Sequence, residues 1–176
     1  MTSSPTATTS TLDGSARRTL RRLGAFISIA AVVVLGDQWT KSLVRARLEY
    51  GETWPDGWTL IRFTHVENTG AAFGILQGAS SALTVVTLIA IAGITFVLFA
   101  MPSRSRFHTI ALSAILGGAV GNLIDRVRIG AVTDFIDPTH YPAVNIADSA
   151  IVCGVATLLL VMWFEPETPS KSESSS

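Results

Sequence analysis

The sequence predicts an all-α integral membrane protein with four transmembrane helices. A small extracytoplasmic β-element and a short interfacial helix are expected in its one long connection. Three observations lead there. The 176 residues are 48% hydrophobic and only 15% charged, too apolar for an ordinary soluble domain. Four stretches approach the roughly 20 apolar residues that cross a hydrocarbon core of about 30 Å. The unusual polar residues gather at the ends of those stretches instead of being scattered. Formal net charge is zero, so nothing calls for a nucleic acid or another polyanion as partner.

Residues 1–16 are Ser/Thr-rich and unpatterned, the composition of a disordered tail. The first span covers 23–39, preceded by Arg17, Arg18, Arg21 and Arg22. A basic run before an apolar run also begins a signal peptide, but no small-x-small cleavage site precedes Asp37-Gln38, so the segment reads as an uncleaved span. In the connection that follows, Trp54-Pro55-Asp56-Gly57 is a turn signal. Residues 58–66, rich in Thr, Ile, Phe and Val, read as a strand, and 73–76 as the interfacial helix. Trp39, Tyr50, Trp54 and Trp58 suit the membrane–water boundary, where amphipathic rings settle. The second span, 81–101, carries no charge. The third, 107–124, is interrupted by His108 and Asn122, and its Gly117-x-x-x-Gly121 spacing lets helices approach closely. The fourth, 145–164, is long enough despite Asp148 near its start. It contains the single cysteine, Cys153, which reads as a small core residue. Residues 165–176 form a second polar tail, leaving one four-helix domain over 17–164.

Orientation follows from basic residues near span ends. With the N-terminus inside, Arg17, Arg18, Arg21, Arg22, Arg104, Arg106 and Lys171 are cytoplasmic. Lys41, Arg45, Arg47, Arg62, Arg126 and Arg128 are outside. The dense cluster before the first span favours both termini inside. Asp37, Lys41, Asn68, Asn122, Asp125, Arg126, Asn145 and Asp148 then all come to the outer face.

Asp134 and Asp148 are the residues that carry chemistry. An aspartate at the centre of a membrane helix costs about 2.5–3.5 kcal/mol on insertion scales, so carboxylates among apolar residues need a reason. Alone, Asp134 reads as a solvated loop residue, and Asn145-x-x-Asp148 as a helix cap with an acidic third position. As a pair they say more. Two carboxylates close together do not both ionise easily, so one keeps a proton. The ionised one can take a proton from water while the other donates to a scissile carbonyl, which is the arrangement of an aspartic protease. Asp37 and Lys41, at i and i+4, read as an ion pair with Lys41 snorkelling. Asn122, Asp125 and Arg126 share a helix face, where Asp125 and Arg126 have each other or lipid headgroups as partners. No metal or other cofactor is called for. His65, His108 and His140 do not cluster, and no His-Glu-x-x-His is present. The absence of Gly-x-Gly-Asp before Asp37 counts against presenilin-like proteases.

Taken together, these motifs resemble those of signal peptidase II, the lipoprotein signal peptidase. The matches, in order, are Asp37-Gln38-x-x-Lys41, Asn68-x-Gly70-Ala71-Ala72-Phe73, Gly117-Gly118-Ala119-x-Gly121-Asn122-Leu123-Ile124-Asp125-Arg126, Val132-x-Asp134-Phe135 and Asn145-Ile146-Ala147-Asp148-Ser149. Each motif alone is weak; the set is specific. The resemblance implies a membrane aspartic endopeptidase of the bacterial cytoplasmic membrane. Such an enzyme removes signal peptides from prolipoproteins just before a diacylglyceryl-cysteine, and is inhibited by globomycin. It implies Asp134 and Asp148 as the catalytic pair, and Asn68, Asn122, Arg126 and Asn145 as groups that contact or orient substrate. Asp37, Lys41 and Asp125 take supporting roles. Lipidated prolipoproteins and membrane lipids are the implied partners. Val144 departs from the family, which commonly has an aromatic residue before that asparagine. A proton-coupled transporter would also place carboxylates in a membrane, but its relay should continue through the bilayer. A non-catalytic lipid-binding scaffold is the other alternative.

Overall fold

The computed structural model describes residues 14–70, 79–100 and 105–164. The tails over 1–13 and 165–176 and the expected interfacial helix at 73–76 lie outside the described residues. Helix α1 (Gly14–Arg47) is followed by β1 (Thr53–Trp54), β2 (Arg62–Asn68), α2 (Ala79–Ala100), α3 (Arg106–Ile129), β3 (Val132–Asp137) and α4 (Ile146–Phe164). All four helices are long and apolar enough to cross a membrane. At about 1.5 Å per residue, the 34 residues of α1 extend well beyond the expected span at both ends. Its first turn takes in positions 14–16, which read as tail in the sequence.

Helix α3 is the centre of the bundle and packs against α1, α2 and α4. In its most apolar stretch 50% of residues are buried, against 11% in α1 and α4 and 6% in α2, so the outer three present most of their side chains to lipid. Phe96, Phe99, Leu159 and Trp163 are among the exposed apolar groups, a surface suited to hydrocarbon and not to water. Cys153 belongs to it: it is exposed on α4, not a core residue. In a bilayer an apolar position carries no inward bias, which is why the sequence misled here.

Small residues permit the close approach. A Cβ on Gly117 would lie 2.8 Å from the Ala30 carbonyl oxygen of α1, and one on Gly121 would lie 2.7 Å from the Asp37 carboxylate. A Cβ on Gly118 would strike the Ala147 carbonyl of α4. The Gly117/Gly121 spacing therefore serves helix packing. Around Phe26, Leu98 and Leu112 an apolar cluster ties α1, α2 and α3 together. Helix α3 starts where the Ser105 hydroxyl accepts from the Phe107 N–H and stops at Gly130, whose φ of 74° few other residues adopt.

The three strands form one antiparallel sheet in the order β1-β2-β3. Strand β2 begins four residues later than the sequence predicts and runs on to Asn68. Pairing with β3 fixes this register, setting Val66 opposite Asp134 and Asn68 opposite Val132. Such long-range pairing overrides local propensity.

Replacing Gly118 by Val is expected to destabilise the protein by about 1–3 kcal/mol, the usual penalty of overpacking. Gly24, with nothing within 4 Å of a built Cβ, should accept Ala at no loss. Unfolding midpoints in detergent would compare the two.

Candidate active site

A buried polar cluster lies where the end of α1, the end of α3, the start of α4 and strand β3 meet. Its foundation is Lys41, which is fully buried. The ammonium has three N–H donors and three partners: Asp37 Oδ2 at 2.8 Å, Asp125 Oδ2 at 3.1 Å and Asn122 Oδ1 at 2.9 Å. The expected snorkelling is therefore wrong. A lysine leaves the surface when every donor finds an acceptor and its charge is matched. Asp125 likewise turns to Lys41 and, at 3.7 Å, to Arg45.

Both buried carboxylates are saturated with donors. Asp37 Oδ1 accepts from the Ala147 N–H of α4 at 3.0 Å, so a side chain of α1 caps an orphan donor in the first turn of α4. Asp125 Oδ2 accepts from the Thr133 N–H at 3.1 Å and so holds the start of β3. Gln38 Nε2 donates to Asp37 Oδ2, Gly121 O and Asp125 Oδ1, at 3.1–3.2 Å. The Arg45 guanidinium donates to Thr133 Oγ1 at 2.7 Å.

This base orients two amides. Lys41 can only donate, so the Asn122 oxygen faces it and Asn122 Nδ2 donates to Asp148 Oδ1 at 2.7 Å. The Asp148 N–H can also only donate. It bonds Asn145 Oδ1 at 2.9 Å, leaving Asn145 Nδ2 to donate to Asp134 Oδ1 at 2.6 Å. The Asn145 backbone N–H in turn points at Asp148 Oδ2 at 3.4 Å. This is the expected capping arrangement in reciprocal form. One fully buried asparagine thus touches both Asp134 and Asp148.

Asp134 is almost fully buried on β3, beyond the end of α3, while Asp148 is half-buried. Burial pushes the Asp134 carboxyl up to about 6, and the Asp148 charge adds to the rise; donation from Asn68 and Asn145 and the Lys41 charge oppose it. Asn68 Nδ2 reaches Asp134 Oδ2 at 3.0 Å, and Asn68 Oδ1 accepts from the Gly70 N–H. Asp134 also lines a cavity of about 620 Å³ with Asn68, Val66 and Thr64, beside Arg62 and Asp137, which pair at 2.6 Å. Arg126 reaches Thr87 of α2 at 3.5 Å and lies within electrostatic range of Asp148, Asp134 and Asp125.

Residues 29–164 match the family model described as Signal peptidase (SPase) II. The chain belongs to this family. Among its relatives is the lipoprotein signal peptidase of Halalkalibacterium halodurans, 39% identical over 151 residues that cover 84% of this chain and 96% of the relative. That of Brevibacillus brevis is 42% identical over 139 residues, covering 78% and 93%. A solved bacterial membrane enzyme, determined by the in meso method at 1.9 Å resolution, superposes with a TM-score of 0.75 at 32% identity, over 81% of this chain and 95% of that one. The protein is a multi-pass membrane protease that removes signal peptides from prolipoproteins. Family membership favours proteolysis over transport or passive lipid binding.

Asp37, Lys41, Asn68, Asn122, Asp125, Arg126, Asp134, Asn145 and Asp148, the candidate site residues of the sequence, all lie in or beside this cluster. Three of its members had no role there: Gln38, Arg45 and Thr133. The stripe Asp37, Lys41, Arg45 at i, i+4 and i+8 was a usable signal for Arg45. Thr133 had none, because its contribution is a backbone N–H and a small hydroxyl chosen by the turn after α3.

Lys41→Met is expected to destabilise the fold by about 3–5 kcal/mol, the cost of leaving buried charges unmatched. Lys41→Arg should not restore it, since a planar guanidinium cannot direct three donors around one nitrogen. Denaturant titration in detergent would measure both.

Proposed function

We propose that Asp134 and Asp148 are the catalytic pair of an aspartic endopeptidase that cleaves just before the lipid-modified cysteine. The observation that carries the reading is Asn145, whose side-chain and backbone N–H groups aim at the two carboxyls together. Two acids held by one residue share a proton readily. Asp134, with its carboxyl raised to about 6, is assigned the proton in the resting enzyme. Asp148, which accepts from Asn122 and sits in the first turn of α4, is assigned the ionised role that donors and a helix N-terminus favour.

In the reaction, ionised Asp148 takes a proton from a water whose oxygen attacks the scissile carbonyl carbon. Asp134 gives its proton to the carbonyl oxygen, and a neutral gem-diol forms without a covalent enzyme intermediate. Asp148 then returns its proton to the departing nitrogen as the C–N bond breaks. One diol hydroxyl gives its proton back to Asp134 as the new carboxyl forms. Asn68, Asn122 and Asn145 keep the carboxyls in place, and Arg126 brings positive charge toward the extended substrate. Asp37, Lys41 and Asp125 hold the elements that carry them.

The site is proposed to face the outside of the bacterial cytoplasmic membrane, with both termini inside, in accord with the arginine cluster before α1. A signal peptide enters as a helix, but its scissile bond must be extended to be attacked. A diacylglyceryl group anchors the neighbouring cysteine at headgroup depth, each buried CH₂ contributing about 0.8 kcal/mol. Globomycin-type cyclic peptides are proposed to compete for the same cleft.

Asp134→Asn and Asp148→Asn should each abolish cleavage of a lipidated precursor in folded protein. The double variant should be little worse than either single one, because the pair acts as a unit. Substantial turnover in either single variant would refute the assignment.

The pH profile follows from the raised carboxyl. Above about 6 Asp134 loses the proton it must donate, so kcat/KM should fall about tenfold per pH unit on the alkaline side. The apparent value belongs to the pair, not to one residue. A kcat/KM that stays flat from pH 6 to 9 would remove Asp134 from the acid role.

A further inference from the structure

Away from the aspartates, at the opposite end of the bundle, a groove of about 400 Å³ runs between α1 and α3, lined by Arg22, Ala25, Ile29, Arg106, Thr109 and Ile110. We propose that it binds one anionic phospholipid, its phosphate between Arg22 and Arg106 and an acyl chain along Ala25, Ile29 and Ile110. The proteolytic reaction uses none of these residues.

Charge complementarity selects the occupant. Arg22 and Arg106 belong to different helices yet line one cavity, so a single phosphate can accept from both guanidiniums, whose forked donors suit phosphate oxygens. Arg17, Arg18 and Arg21 add further positive charge beside the groove, all of them exposed. Basic pockets between transmembrane helices are the usual recognition mode for anionic headgroups.

The polarity of the groove fits a lipid and not a free anion. On α1, Arg18, Arg22, Ala25 and Ile29 follow at i, i+4, i+7 and i+11, one face of the helix. On α3, Arg106 and Ile110 repeat the order at i and i+4. Both helices thus read basic at the end and apolar toward the middle, which is the order of headgroup and chain. From Arg22 to Ile29 the rise is roughly 10 Å at 1.5 Å per residue, room for several methylenes. The Arg106 guanidinium rests over the Phe107 ring at 5.2 Å from its centroid, an arrangement that favours a defined position for the charge.

The test is native mass spectrometry of the full chain in zwitterionic detergent, titrated with phosphatidylglycerol and with phosphatidylcholine of the same chains. The wild type should retain one phosphatidylglycerol at about tenfold lower concentration than phosphatidylcholine. Arg22→Gln/Arg106→Gln should lose that preference, while its turnover on a lipidated precursor stays at the wild-type level. The charge-matched Arg17→Gln/Arg21→Gln protein should keep it. Ile110→Trp, which fills the apolar limb and spares both arginines, should weaken phosphatidylglycerol binding severalfold. Equal binding of the two lipids, or equal loss in the two arginine pairs, would overturn the proposal in favour of diffuse attraction. Displacement by inorganic phosphate at matched concentration would overturn it in favour of a free-anion site. Binding that emerges only on deletion of residues 165–176 would show that the chain's own acidic tail takes the place of lipid.

Discussion

The structure depends on one ammonium group. Lys41 stands between Asp37 and Asp125 with no exposure to solvent, and each of its partners controls a different element. Asp37 caps the first turn of α4 through the Ala147 N–H, and Asp125 holds β3 through the Thr133 N–H. Asn122 carries the orientation onward to Asp148. In a bilayer such a cluster has little alternative to being complete, because an unmatched charge has no water to turn to. Its completeness is why three helices and a strand meet in one geometry.

The same cluster stands apart from the proposed catalytic pair. The groups around Lys41 are charge-matched and saturated with hydrogen bonds, which leaves them no free capacity for a substrate. Asp134 and Asp148 differ: Asp134 borders an open cavity, and Asp148 is half-buried in the first turn of α4. Asparagines connect the two layers. An amide donates to a carboxylate without neutralising it, so Asn122, Asn145 and Asn68 fix the position of the two acids and leave their charge unpaired with any ammonium. An ammonium in the place of Asn145 would pin both carboxyls in the ionised form.

The fold mixes two kinds of element. Helices satisfy their own backbone and cross the bilayer. The sheet cannot lie in lipid with open edges, so it sits beyond the helix ends, where β3 brings Asp134 toward α4. Val144 closes part of the β3 edge by pairing with Ile136.

By itself the sequence determined the features that depend on local order. Four apolar runs fixed the spans, the Gly117/Gly121 spacing marked a close helix contact, and Asn145-x-x-Asp148 marked the cap of α4. Motif residues in series were enough to indicate the family. Tertiary structure decided what depends on partners distant in the chain. Lys41 looked like a surface cation because its second carboxylate lies 84 positions away at Asp125. The bounds of β2 depended on pairing with β3, and Thr133 entered the site only through the turn after α3. Cys153 faces outward because lipid, unlike water, does not drive an apolar residue into the core. Periodicity reports how a segment meets its surroundings; it does not report which buried donors and acceptors will find one another.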